Sequence, residues 1–146
     1  MRLNLVKLCV GAASIEDVAG WQAMRGNTLR RGGKRVAFHT TFQKPTRDAE
    51  LIAGGSLYWV IKGVIQVRQR IVGFDTGHKD DGSACCLLLL GPDLVSVRPV
   101  KRRAFQGWRY LLADDAPPDV GSAAHAAALA ELTPKMRKDL ADLGLL

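Results

Sequence analysis

The sequence predicts an α+β domain, a small mixed and mostly antiparallel sheet curled into a partly closed barrel, with flanking helices and a helix at the C-terminus. Three features carry that reading. The run "GGSLYWVIKGVIQVRQRI" and two later segments are rich in strand-forming residues. Ser14 stands as a helix N-cap before "IEDVAGWQAMRGNTLRR". The chain has 146 residues, 47% of them apolar and 24% charged, which suits one folded domain rather than a disordered chain. The core domain is expected over residues 1–119, with 120–146 a helical tail docked on the core or on a partner.

The first strand is "LNLVKLC", short and largely alternating. In the helix that follows Ser14, Asp17 takes the N3 position of a capping box and Glu16 the first turn. Its end falls among Gly26, Asn27 and the Gly32-Gly33 pair, after which "KRVAFHTTF" reads as a second strand. Pro45 and Thr46 open a short helix, with Thr46 as its cap and Gly54 or Gly55 as its end.

In "SLYWVIKGVIQVRQRI" a period of two places Leu57, Trp59, Ile61, Ile65, Val67 and Ile71 on one face. Tyr58, Val60, Lys62, Val64, Gln66, Arg68 and Arg70 fall on the other. Gly63 marks either a split into two strands or a bend, and the expected role is a bend where a buried strand turns into a ligand-facing one. A polar turn "GFDTGHKDDGSA", a strand "CCLLLLG", a Gly91-Pro92-Asp93 turn and a strand "LVSVRPV" complete five or six strands. In the tail, after an Ala-rich segment, Thr133 is the expected N-cap and Pro134 the N1 residue of a last helix, with Met136, Leu140 and Leu143 on one face.

Charge is unevenly distributed. Residues 1–110 hold 18 Lys and Arg against 8 Asp and Glu, a net of +10, whereas residues 111–146 hold 3 against 6, a net of −3. The positive field of the body favours phosphate-bearing ligands. Lys62, Gln66, Arg68 and Arg70 form one candidate row, spaced about 6 to 7 Å apart along a strand. Ion pairing with an acid such as Asp75 or Asp93 is the alternative for that row. Arg98, Lys101, Arg102, Arg103 and Arg109, interleaved with Phe105, Trp108 and Tyr110, form a second candidate, in which cations hold a backbone while aromatics stack on bases. Gly107 sets a tight turn before Trp108.

No catalytic set is legible. His39, His78 and His125 lack any metal-ligand spacing, no Walker A or GxGxxG pattern occurs, and Cys9, Cys85 and Cys86 read as buried thiols of a reducing compartment. A dyad of Cys9 or Cys85 with His39 could form only through the fold. No cofactor or metal is expected. No run approaches the roughly 18 apolar residues needed to span a bilayer, so the expected setting is cytoplasmic and without a membrane.

The blocks "LVKLCVGAASIEDVAGWQ", "GGSLYWVIKGVIQVRQRI" and "RRAFQGWRYLLADDAPPD" resemble an uncharacterised bacterial family, domain-of-unknown-function family 1489, over residues 1–119. That resemblance implies a bacterial cytoplasmic setting and carries no catalytic residues with it. A more distant likeness is to PUA-like and ASCH-type domains, small barrels associated with RNA. Gly63 and Arg70 match the first and last positions of their GxKxxExR signature, but Ile65 and Arg68 replace its Lys and Glu. The combined reading is a module that binds RNA or a nucleotide phosphate. The alternatives are a protein-interaction or structural domain docking through its C-terminal helix and, with the thinnest support, a small enzyme acting on a nucleotide or RNA.

Overall fold

A buried glutamine joins three strands and a helix at the centre of the molecule. The computed structural model describes residues 3–103 and 105–142, the side chains of Arg25 and of residues 133–142 excepted. It is an α+β structure whose seven strands form one mixed sheet: β1 (Leu3–Leu8), β2 (Thr28–Arg31), β3 (Lys34–Thr41), β4 (Ser56–Ile61), β5 (Val64–His78), β6 (Ala84–Lys101) and β7 (Trp108–Leu112). The order across the sheet is β2-β3-β6-β5-β4-β1-β7. Only β1 and β4 run parallel. A parallel pair needs a long crossover. Here it is made by α1 (Ile15–Ala23), the β2–β3 hairpin and α2 (Asp48–Ile52).

The sheet has two apolar faces. Leu3, Leu5, Leu57, Trp59, Ile61, Val67, Ile71, Leu88 and Leu90 build the larger cluster, with Val18 of α1 and Leu51 of α2 packed into it. Val6, Tyr58, Val60, Ile65, Val97 and Leu111 build the second, flanked by Leu8, Phe105 and Ala116. Trp59 and Ile61 are fully buried, as the barrel reading requires.

The sheet curls strongly without closing. His39 on β3 reaches across β6 and β5 to set its ring edge-on to Trp59 of β4, with centroids 5.1 Å apart. At the opposite edge, Trp108 of β7 donates its indole N–H to the carbonyl of Gln43, just beyond β3 (2.9 Å), and the Tyr110 hydroxyl accepts from the backbone N–H of Arg47 (3.2 Å). The edge strands β2 and β7 are not hydrogen-bonded neighbours. Side chains therefore bridge part of the gap that strand pairing leaves open.

Several local expectations change. Gly63 is no bend within one strand: Lys62 (φ 51°) and Gly63 (φ 76°) form the two-residue turn of a β4–β5 hairpin. Two successive positive-φ residues match the twist of the strands they join, and glycine carries the second at no steric cost. The register shifts between Ile65 and Val67, so Ile65 moves to the Tyr58 and Val60 face, against the simple period of two. A bulge adds one residue and reverses the alternation beyond it.

The polar run after Val72 is mostly strand, since β5 extends to His78 and the turn is confined to 79–83. Gly91-Pro92-Asp93 is likewise no turn, because β6 runs through it with a local shift in its pairing to β5. Two strands escaped the sequence reading, β2, joined to β3 through Gly32 and Gly33, and β7.

The Ser14 cap is present, accepting from the N–H of Asp17 (3.2 Å), while the Asp17 carboxylate accepts from the N–H of Ala13 (2.8 Å). Thr46 does not cap α2, whose N-cap position is Arg47 without a side-chain cap. The tail is one helix, α3 (Ser122–Asp142), so Thr133 starts nothing. Leu143, and the side chains of Met136 and Leu140, lie outside the described residues and side chains. His125 anchors the first part of α3 to the sheet, its ring Nδ1 2.9 Å from the carbonyl of Val97.

Gln69, on β5 and fully buried, uses all of its amide's hydrogen-bonding capacity. Its oxygen accepts from Gln22 of α1 (2.7 Å) and from the Trp59 indole (3.2 Å). Its nitrogen donates to Gln22 (2.7 Å) and to the Gly91 carbonyl (2.7 Å). Gln69→Leu leaves buried donors and acceptors without partners and is expected to cost about 3 kcal/mol in urea unfolding. A loss below about 1 kcal/mol would show that the amide is not a structural tie.

Arg68 ties down the segment before α3. Its guanidinium meets Asp119 in a two-pronged pair (2.7 and 2.7 Å) and donates to the Ser56 hydroxyl (3.1 Å). Hydrogen bonding from Arg68 holds the Asp119 carboxyl below its ordinary value. A depressed folded pKa contributes stability above the unfolded value and loses it as pH falls through the folded one. Asp119→Asn should therefore cost about 1 kcal/mol near pH 7, a modest figure because Asp119 is half exposed. The gap to wild type should narrow below about pH 4 in melts recorded against pH. A gap that stays constant with acidification would rule out the ion pair as its source.

Candidate nucleic-acid interface

The two basic segments meet different fates because the strand that was to carry one of them is a hairpin. Lys62 sits in the turn rather than on a strand face. Gln66 lies at the bulge, buried, donating to the Ile61 carbonyl (3.1 Å). Arg68 and Arg70 do share a face, opposite Tyr58 and Ser56, but both are engaged. The alternative of ion pairing holds for Arg68, with Asp119 rather than Asp75 or Asp93; Asp75 pairs with Arg31. Arg70 donates to the Ile52 carbonyl at the end of α2 (2.9 Å), where a cation suits the exposed carbonyls of a helix terminus. The row of four does not form a ligand-facing wall.

The later segment does assemble. Lys101, Arg102, Arg103, Phe105, Arg109 and Tyr110 line one surface hollow of about 570 Å³. Pairing of Val64 with Lys101, and a bond from the Arg102 N–H to the Gly63 carbonyl (2.8 Å), fix the end of β6 against the hairpin turn that carries Lys62. Arg109 comes from β7, on the same face as Val6 and Leu111, and donates to the carbonyls of Gln106 (3.0 Å) and Trp108 (3.1 Å).

Both guanidiniums lie over the Phe105 ring, that of Arg102 at 5.5 Å and that of Arg109 at 5.3 Å from its centroid. At this distance the ring quadrupole attracts each cation. No acidic residue lines the hollow. Among the described residues, Arg102, Arg103 and Arg109 have no carboxylate within ion-pair distance. Stacked guanidiniums of this kind keep N–H edges available for an oxyanion.

Two expected members fall elsewhere. Trp108 points to the larger core face, packed edge-on to Tyr110 with centroids 4.9 Å apart and bonded to Gln43, which leaves Phe105 and Tyr110 as the aromatics that line the hollow. Gly107, at φ 70°, provides the turn that aims Trp108 there. Arg98 is exposed outside the lining, its backbone N–H bonded to the Pro118 carbonyl (2.9 Å). Arg68 lines a separate hollow with Asn4, Ser56, Tyr58 and Asp119.

The fold also gathers Lys7, Cys9, Asp17, Trp21 and His39 around a pocket of about 330 Å³. Cys9 and His39, paired only conditionally from the sequence, thus share one cavity. Lys7 and Trp21 carry no motif that would have singled them out, since both follow ordinary strand and helix patterns.

No helix among the described residues is long and apolar enough to cross a membrane. No curated protein and no solved structure matches the chain, so the PUA-like likeness gains no support from those comparisons. A family model does match, over residues 5–146, and it takes in the tail that the resemblance of the three sequence blocks left out. The chain belongs to the family described as "Protein of unknown function (DUF1489)".

Proposed function

We propose that the protein is a binding module for phosphate-bearing ligands, single-stranded RNA foremost, and that its contact surface is the hollow of Lys101, Arg102, Arg103, Phe105 and Arg109. The carrying observation is the pair of guanidiniums over Phe105 with no acid in the lining. Stacked arginines offer flat faces to unpaired bases and N–H edges to phosphates, the two surfaces that a single strand presents. An excess of positive charge over residues 1–110 adds long-range attraction. The reading sets the protein in the bacterial cytoplasm, which the family resemblance implies and which suits three free cysteines.

The surface corresponds to the second of the two candidate segments in the sequence, without Arg98 and with Phe105 in place of Trp108, whereas the first candidate row is engaged elsewhere. Arg68 serves the fold through Asp119, Arg70 closes α2, and Lys62 stands beside the hollow on its turn. If the four cations of the hollow each neutralise one phosphate, binding of a short fluorescent oligouridine should weaken with salt at a log–log slope of about −3. Arg102→Ala and Arg109→Ala should each weaken binding by about 1 to 2 kcal/mol and flatten the slope by about 0.7. Arg68→Ala, compared at a temperature where it is folded, should leave binding unchanged. Anisotropy titrations from low to moderate salt decide the matter: salt-independent binding, or Arg102 and Arg109 variants that bind like wild type, would refute the assignment.

A further inference from the structure

The pocket at the mouth of the curled sheet has a composition that phosphate binding does not use. It lies on the larger core face, far along the row Leu3, Leu5, Lys7 of β1, where that row emerges from the core. Lys7 stands in register with Trp59 of β4 on one side and Trp108 of β7 on the other. Residues 8–12 form one wall, Val18 and Trp21 of α1 another, and His39 reaches in from β3. Its volume of about 330 Å³ falls at the small end of the range of small-molecule sites, and such sites favour the mouths of curled sheets.

We propose that this pocket is a second site, which captures a small aldehyde or ketone with an apolar body as an imine on the side-chain amine of Lys7. Apolar and aromatic walls would hold the body of such a compound. The lining brings an amine, a thiol and an imidazole to the same pocket, from Lys7, Cys9 and His39. Among the described residues, Lys7 has no carboxylate within ion-pair distance. The one acid of the lining, Asp17, is committed to the N–H of Ala13 at the start of α1. An ammonium half-buried without a counter-ion is disfavoured relative to the free amine, and burial lowers the pKa of Lys7 accordingly, against a smaller opposing influence of Cys9.

His39 supports the same chemistry. Its imidazole is wedged between Trp21, at 5.7 Å, and Trp59, at 5.1 Å, and its buried Nδ1 has no hydrogen-bond partner among the described residues. Burial, with a further push from the Lys7 charge, lowers its pKa to about 4, so at neutral pH it is an uncharged base or acceptor. Burial pushes the Cys9 thiol up, which keeps it a weak proton donor rather than a competing thiolate. The lysine nitrogen attacks the carbonyl carbon, the C=O π pair moves to oxygen, and one proton passes from nitrogen to that oxygen to give a carbinolamine. The nitrogen then gives up its second proton as the hydroxyl departs as water. One C=N bond replaces one C=O bond, and no oxidant or reductant is consumed.

The test uses the full chain with benzaldehyde at one equivalent and sodium cyanoborohydride to reduce any imine, read by intact mass and peptide mapping. The expected result is one benzyl group per chain, carried by Lys7 ahead of every other lysine, with the adduct lost in Lys7→Met and kept in Cys9→Ser. Label spread over the surface lysines without preference for Lys7 would overturn the proposal. So would a dominant adduct at another residue. The wild-type peptide map locates the label whether or not Lys7→Met folds, and RNA binding at the hollow of Arg102 and Arg109 is not involved in it.

Discussion

The side-chain amide of Gln69 is the constraint on which the arrangement of the sheet depends. A primary amide buried without partners would oppose folding, because each of its donors and acceptors loses water on burial. Here every one of them is engaged, by Gln22 of α1, Trp59 of β4 and Gly91 of β6. Those bonds are directional, whereas the surrounding Leu, Ile and Val contacts would tolerate small slips of strand on strand. Gln69 therefore selects one register among several that hydrophobic burial alone would accept. Its position beside the irregular pairing between Gln69 and Ile71 fits that role, since β5 and β6 need a fixed point where their ladder shifts.

Fixing that point has consequences at both ends of the sheet. Register shifts raise the local twist, and the long β5–β6 ribbon curls far enough for His39 to meet Trp59 and for Trp108 to reach Gln43. The curl creates the pocket around Lys7 at its mouth and directs Trp108 away from solvent. The same bulged strand carries Arg68 to the opposite face, where Asp119 clamps the chain leading into α3. One ribbon thus carries Arg68 and Arg70 to contacts that serve the fold, and Arg102, at its far end, to the ring of Phe105.

Charge in this protein is consequently divided by task. Arg68 and Arg70 carry the same formal charge as Arg102 and Arg109, yet one meets a carboxylate and the other a helix-terminal carbonyl. Among the described residues, Arg102 and Arg109 both meet the Phe105 ring face, and Arg109 local carbonyls as well. An aromatic face attracts a guanidinium but does not neutralise it, so the positive potential of the hollow persists. Net charge alone could not make this distinction, because it counts both pairs equally.

The sequence by itself determined the features that near neighbours in the chain impose. The Ser14 cap needs only Asp17, three residues away, and the apolar burial of Leu57, Trp59 and Ile61 follows from their alternation. The α+β class, the mixed sheet and the cation-aromatic segment from Lys101 to Arg109 were legible for the same reason. The five residues of β7 carry too little pattern to read as a strand without β1 beside them, and β6 reads as two strands because Gly91-Pro92-Asp93 has the composition of a turn. Only the tertiary structure decided that Gly63 turns a hairpin, that the bulge after Ile65 moves it to the other face, and that Arg68 finds Asp119 51 residues away. Only it brought Lys7, Cys9 and His39 into one pocket. Local pattern records which side of an element meets the core, whereas the partner of a given side chain depends on how the sheet twists and where its register shifts, and both are set by contacts among strands distant in sequence.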